Sequence, residues 1–90
     1  MKIFADLKFD AHRMSPAKHA ILFFPNGYGV SVVGGAYGLY GDGVNDFEVA
    51  IVRGTDEEYA ICDDTGIIDG VLGYQSIDEV SGLMIKIQKL

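Results

Sequence analysis

Cysteine, long apolar runs and mid-chain lysines are what this 90-residue chain has least of. Its one cysteine, Cys62, cannot form an internal disulfide. Packing must therefore hold the fold, and a reducing interior such as a cytoplasm is the expected setting. No apolar run approaches the roughly 18 residues needed to span a bilayer, so a soluble protein without membrane contact is expected. The opening residues Met1-Lys2-Ile3-Phe4-Ala5-Asp6 carry a charge after three apolar positions and lack a signal-peptide core. No lysine lies between Lys18 and Lys86, and neither G-x-G-x-x-G nor G-x-x-x-x-G-K-S/T occurs. A phosphate cradle would have no cation to meet its ligand's charge, which argues against nucleotide binding.

What is present points to one domain over residues 1–90 with a radius of gyration of about 12 Å. Residues 47–62 organise it. Phe47, Val49 and Ile51 alternate with Glu48, Ala50 and Val52. A polar tip, Gly54-Thr55-Asp56-Glu57-Glu58, leads into a second apolar run from Tyr59. That pattern predicts a hairpin with one face to bury. A second hairpin is predicted from Ala20-Ile21-Leu22-Phe23-Phe24, the turn Pro25-Asn26-Gly27, and Tyr28-Gly29-Val30-Ser31-Val32-Val33. Its Asn-Gly pair would supply two residues that tolerate positive φ.

Residues 1–10, with Ile3, Leu7 and Phe9 spaced apart and Phe4 out of phase, read as a short strand. Residues 34–43 hold five of the 12 glycines and read as a loop, since each glycine costs about 0.5–1 kcal/mol inside a regular element. Residues 63–75 read as a long, partly buried connection. The clearest helix closes the chain: Ser76 and Glu79 form a capping box, and Ile77, Val80, Leu83, Met84, Ile87 and Leu90 make one apolar stripe. Gly82 within it suggests a close approach of helix to sheet. The expected fold class is α+β, an antiparallel sheet of four to five strands with one C-terminal helix packed on one face.

Three catalytic or metal-binding patterns fail on inspection. Asp64-Thr65-Gly66 matches the aspartic-protease triplet, but Ile67 replaces the small residue that should follow, and a turn after a strand is the better reading. Asp63, Asp64 and Asp69 miss the calcium-loop template, because Gly66, Ile68 and Asp69 fall where ligands and the invariant glycine belong. His12, His19 and Cys62 are too few for a closed zinc site. No metal, cofactor or catalytic residue is expected, and the chain reads as a non-enzyme.

Charge placement stands out. Residues 41–80 hold eleven acids, among them Asp42, Asp46, Asp56, Glu57, Glu58, Asp63 and Asp64, against one base, Arg53. That segment carries −10 while the chain carries −6. Such a face would repel nucleic acid and attract a basic partner. Tyr37 and Tyr40, on the glycine loop, add compact aromatic area of the kind that binding loops use. These nine residues, the seven named acids and the two tyrosines, form the candidate partner-binding set.

The run Phe24-Pro25-Asn26-Gly27-Tyr28-Gly29-Val30-Ser31-Val32, the glycine-rich gap, the strand at Phe47-Glu48-Val49-Ala50, the turn at Cys62-Asp63-Asp64-Thr65 and the capped terminal helix resemble small accessory proteins of phages and prophages. The resemblance covers residues 19–90 and carries over no catalytic residue. It implies a viral accessory protein in a bacterial host cytoplasm, where compact acidic inhibitors of host defence proteins, the anti-CRISPR kind, recur. The expected function is binding and inhibition of a host defence protein with a basic surface. The alternative is a small-ligand-binding or sequestering protein that uses the glycine and tyrosine loop, a role compatible with a homodimer.

Overall fold

The computed structural model describes residues 1–11, 18–35 and 45–90. Among the described residues, six antiparallel strands form one sheet: β1 Asp10–Ala11, β2 Lys18–Phe23, β3 Tyr28–Gly34, β4 Asp46–Gly54, β5 Tyr59–Ile61 and β6 Val71–Ser76. Helix α1, Ile77–Gln88, follows β6 without a loop. The neighbours run β1-β2-β3-β4, and the far edge of β4 is shared, with β5 on residues 52–54 and β6 on residues 46–50. The two-residue β1 apart, this is the expected α+β architecture, an antiparallel sheet of five strands with the C-terminal helix on one face.

Register explains the core. Val30 stands opposite Ile51 and Val32 opposite Val49, so alternate residues of β3 and β4 point to one side. There they meet Val80, Leu83, Met84 and Ile87 of the helix, together with Phe24, Phe47 and Ile68. The helix stripe is buried in its middle, while Ile77 and Leu90 at its ends stay 43% and 42% exposed. Ser76 accepts a hydrogen bond from the Glu79 amide at 3.1 Å, and Glu79 Oε1 accepts from the Ser76 amide at 3.0 Å, so the capping box forms as read. Gly82 does not mark a close approach: a Cβ there would meet nothing within 4 Å.

The expected strand over residues 1–10 is not formed, apart from Asp10. Residues Phe4–Asp6 make a single 3-10 turn, closed by the Asp6 amide to the Ile3 carbonyl at 2.9 Å. The segment is fastened to the helix instead of to a strand. Gln88 accepts from the Lys2 amide at 2.8 Å and donates to the Lys2 carbonyl at 2.7 Å, and the Phe4 amide donates to Ser81 Oγ at 3.0 Å. Phe4, the residue that breaks the strand alternation, packs its ring 5.1 Å from Phe47.

Two turn readings also change. Only Gly27 of the Asn26-Gly27 pair has positive φ, +87°. The turn is closed by the Gly27 amide to the Phe24 carbonyl at 3.1 Å, which puts Pro25 and Asn26 at its centre, where proline's fixed φ suits the first position. Asn26 has another task, donating from Nδ2 to the Ile87 carbonyl at 2.9 Å and the Leu90 carbonyl at 3.3 Å. The hairpin turn thus caps the free carbonyls at the C-terminus of α1. Residues 63–75 are not all connection, because β6 begins at Val71. A bulge in β6, where Gly73 and Tyr74 together face the single residue Glu48 between Phe47 and Val49 of β4, breaks the period of two that would have revealed that strand.

Candidate protein-interaction surface

The long strand β4 separates what the sequence groups together. Asp46 begins it and Gly54 ends it, eight steps apart or about 26 Å at the usual rise per residue. Asp46 is half-buried near the start of α1, opposite Ser76. Asp56, Glu57 and Glu58 are exposed at the other end, in the tip between β4 and β5. Asp63 and Asp64 are exposed just past β5, where the Cys62 amide donates to the Ile51 carbonyl at 2.8 Å. Tyr37, Tyr40 and Asp42 lie outside the described residues, as does most of the glycine loop that the ligand-binding alternative invokes.

Five candidate acids therefore bracket one short edge strand, β5, with Arg53 between them. Two shallow open depressions share that arginine. One is lined by Thr55, Glu58, Tyr59 and Ala60, the other by Ala60, Ile61, Cys62, Asp63 and Asp64. The Arg53 guanidinium lies 5.2 Å from the centre of the Tyr28 ring, a cation–π distance that holds it against the sheet. The terminal lysines are not at the opposite pole. Because Asn26 caps α1 and Tyr28 stands opposite Arg53, the helix end with Lys86 and Lys89 sits at the tip's end of the sheet, in the helix layer. The acids thus divide between the tip, the β5 edge and the far end of β4.

The turn at Asp64-Thr65-Gly66 binds within itself. Thr65 Oγ1 accepts from the Ile67 amide at 3.2 Å, and Gly66 takes φ +80°. The Cys62 thiol donates to Asp64 Oδ1 at 2.9 Å. The residue is half-buried and packs against the edge of the core. That hydrogen bond pushes the thiol's pKa above its ordinary value, helped by partial burial and the negative charge of Asp64, while the Asp64 backbone amide and, more weakly, Arg53 oppose the shift only in part. Only the thiolate attacks an alkylating agent. The rate of iodoacetamide labelling should therefore rise at a higher pH than for an ordinary thiol, and Asp64→Ala should bring the midpoint down. An unchanged midpoint in that variant would remove Asp64 as the cause. Among the described residues no group of three or more His, Cys, Asp or Glu side chains is placed to hold a metal ion, and no helix is long and apolar enough to cross a membrane.

Sequence reasoning missed the side of the sheet that faces away from α1. Register places Phe23, Gly29, Val52 and Ile61 in one row across four strands, with Ile21, Ser31, Ala50 and Val71 in the next. The Phe23 and Tyr59 rings meet edge to face at 5.8 Å. Gly29 makes room for Phe23 beside Val52: a Cβ there would lie 2.8 Å from both the Leu22 carbonyl oxygen and Phe23 Cδ1, and 3.1 Å from Val52 Cγ2. Tyr59, Ile61 and Val71 remain 42%, 56% and 41% exposed. His19, Val33 and Glu48 form a third row, where His19 Nε2 lies 2.9 Å from Ser31 Oγ and Glu48 Oε2 is buried without a hydrogen-bond partner. The full alternation of Ala50 and Val52 with the core residues of β4 was the available signal, since it marks a strand apolar on both sides. No family model, no curated protein and no solved structure matches the chain.

Proposed function

We propose that the protein is a non-enzymatic accessory protein of phage type that binds a host defence protein through the β5 edge and blocks that protein's basic surface. The observation that carries this reading is the exposure of Asp56, Glu57, Glu58, Asp63 and Asp64 on both sides of one three-residue edge strand. Glu58 and Asp63 are five residues apart, about 16 Å along an extended chain. That is roughly twice the screening length in physiological salt. The two acidic groups act as separate contacts, and a partner must span both to gain from both. The resemblance of residues 19–90 to phage accessory proteins supplies the setting.

Affinity capture from a bacterial lysate tests the reading. A basic partner is expected, with retention that falls steeply between about 50 and 300 mM salt as the charges are screened. With that partner purified, Asp56→Lys, Glu57→Lys and Glu58→Lys combined should weaken binding at least tenfold and restore the partner's own activity. Binding insensitive to both salt and charge reversal would refute the proposal.

A further inference from the structure

The apolar side of the sheet is more than its chain needs. A solvated antiparallel sheet face is ordinarily polar, yet here Phe23, Tyr59, Ile61 and Val71 surround the buried Ala50 and Val52. With strands about 4.8 Å apart and successive residues on one side about 6.8 Å apart, the patch covers on the order of 300 Å². The largest apolar patch of a typical monomer is about 300–600 Å² and is often functional.

Charge decides what fits it. Asp46 and Glu48 occupy positions on this side at one end, and the 56–58 tip lies beyond the other. No described lysine or arginine takes a strand position here. Lys18 lies over the Phe9 and Phe47 rings at 5.2 and 5.5 Å, and Arg53 lies over Tyr28, both on the helix side. Lys86 and Lys89 belong to the helix and its C-terminal cap. We infer that this sheet face is the apolar centre of a docking site for a protein that presents an apolar patch rimmed with lysine and arginine. The inference rests on the reading of the chain as an interaction module and adds the surface that supplies its affinity. A second copy of the chain fits poorly, because pairing two such faces would set carboxylates against carboxylates.

Two synthetic peptides of equal positive charge test it, read by amide chemical shifts of the ¹⁵N-labelled protein. In one, leucines form an apolar face flanked by lysines, and in the other glycine and serine replace the leucines. The leucine peptide should shift the amides of Ile21, Phe23, Ile61 and Val71 and bind at least tenfold more tightly. The polar peptide should shift only residues 56–58 and 63–64. Ile61→Asp, at a 56% exposed position, should abolish the leucine peptide's advantage, while the added carboxylate leaves the polar peptide bound at least as tightly. Equal affinity for both peptides, or an unaffected Ile61→Asp variant, would overturn the inference while leaving the acidic edge intact. Loss of all peptide binding on charge reversal at residues 56–58, with Ile61→Asp neutral, would have the same meaning. A concentration-dependent dimer that Ile61→Asp dissolves would also overturn it, by naming a second copy as the occupant.

Discussion

Phe47→Ala should cost about 3–5 kcal/mol of stability, the range for truncating a large buried aromatic. Phe47 is 1% exposed and sits where three parts of the chain meet. Its ring lies 5.1 Å from Phe4 and 5.6 Å from Phe9, with Lys18 Nζ 5.5 Å away. Phe4 and Phe9 belong to an N-terminal segment with no full strand of its own, so the cavity would also loosen their attachment. A 90-residue domain has about 5–13 kcal/mol in all, and each kcal/mol shifts the melting temperature of a domain this size by about 4–8 °C. The variant should therefore melt at least 12 °C lower or fail to fold. Ile61→Ala, on the open side of the sheet, should change the unfolding free energy by about 1 kcal/mol or less. A urea titration of both variants checks the contrast, and an unfolding free energy for Phe47→Ala within about 1 kcal/mol of the parent would contradict the core assignment.

Gly54→Ala should have the next largest effect, at a different place. Gly54 has φ +134°, which L side chains avoid, and a Cβ would overlap the Glu58 carbonyl oxygen and come within 2.9 Å of Tyr59 Cα. Backbone strain of this kind costs about 1–3 kcal/mol, and the overlap can be relieved only by moving β5 away from β4. Residues 52–54 pair with residues 59–61 in just three places. Amide exchange should therefore quicken at Thr55 and Cys62, whose bonds to Glu58 and Ile51 close the hairpin, while the helix amides stay protected. Partner binding should weaken, since the tip acids lose their frame. Gly82→Ala is the matched control, because open space there leaves only the gain in helix propensity, up to about 1 kcal/mol. Unchanged protection at Thr55 and Cys62 in Gly54→Ala would contradict the strain argument.

Local physics made the two hairpins and the helix legible. The parity of Phe47, Val49 and Ile51, the turn at residues 25–27 and the Ser76 and Glu79 pair all act within a few residues, so their signals lie in adjacent letters. The missed features depend on distant partners. Asn26 reads as turn chemistry, yet it bonds carbonyls 61 and 64 residues away. Strand β6 carries a bulge and Tyr74 at φ +54°, conformations that erase alternation. The candidate acids are close in sequence, but an extended strand carries Asp46 to the end opposite Asp56. Proximity along a strand becomes distance in space, and the charge run alone contains no sign of it.

Strands β5 and β6 lie end to end on the same edge of β4, each paired with it independently. Neither relies on the other for its ladder. The hairpin tip can therefore peel off as a small unit of local unfolding while β6 stays zipped to β4 and keeps α1 anchored. Amide protection should be graded accordingly, lowest in β5 and highest in the middle of β4, where both flanks are paired. Contact with another molecule would begin on the piece of backbone least expensive to rearrange.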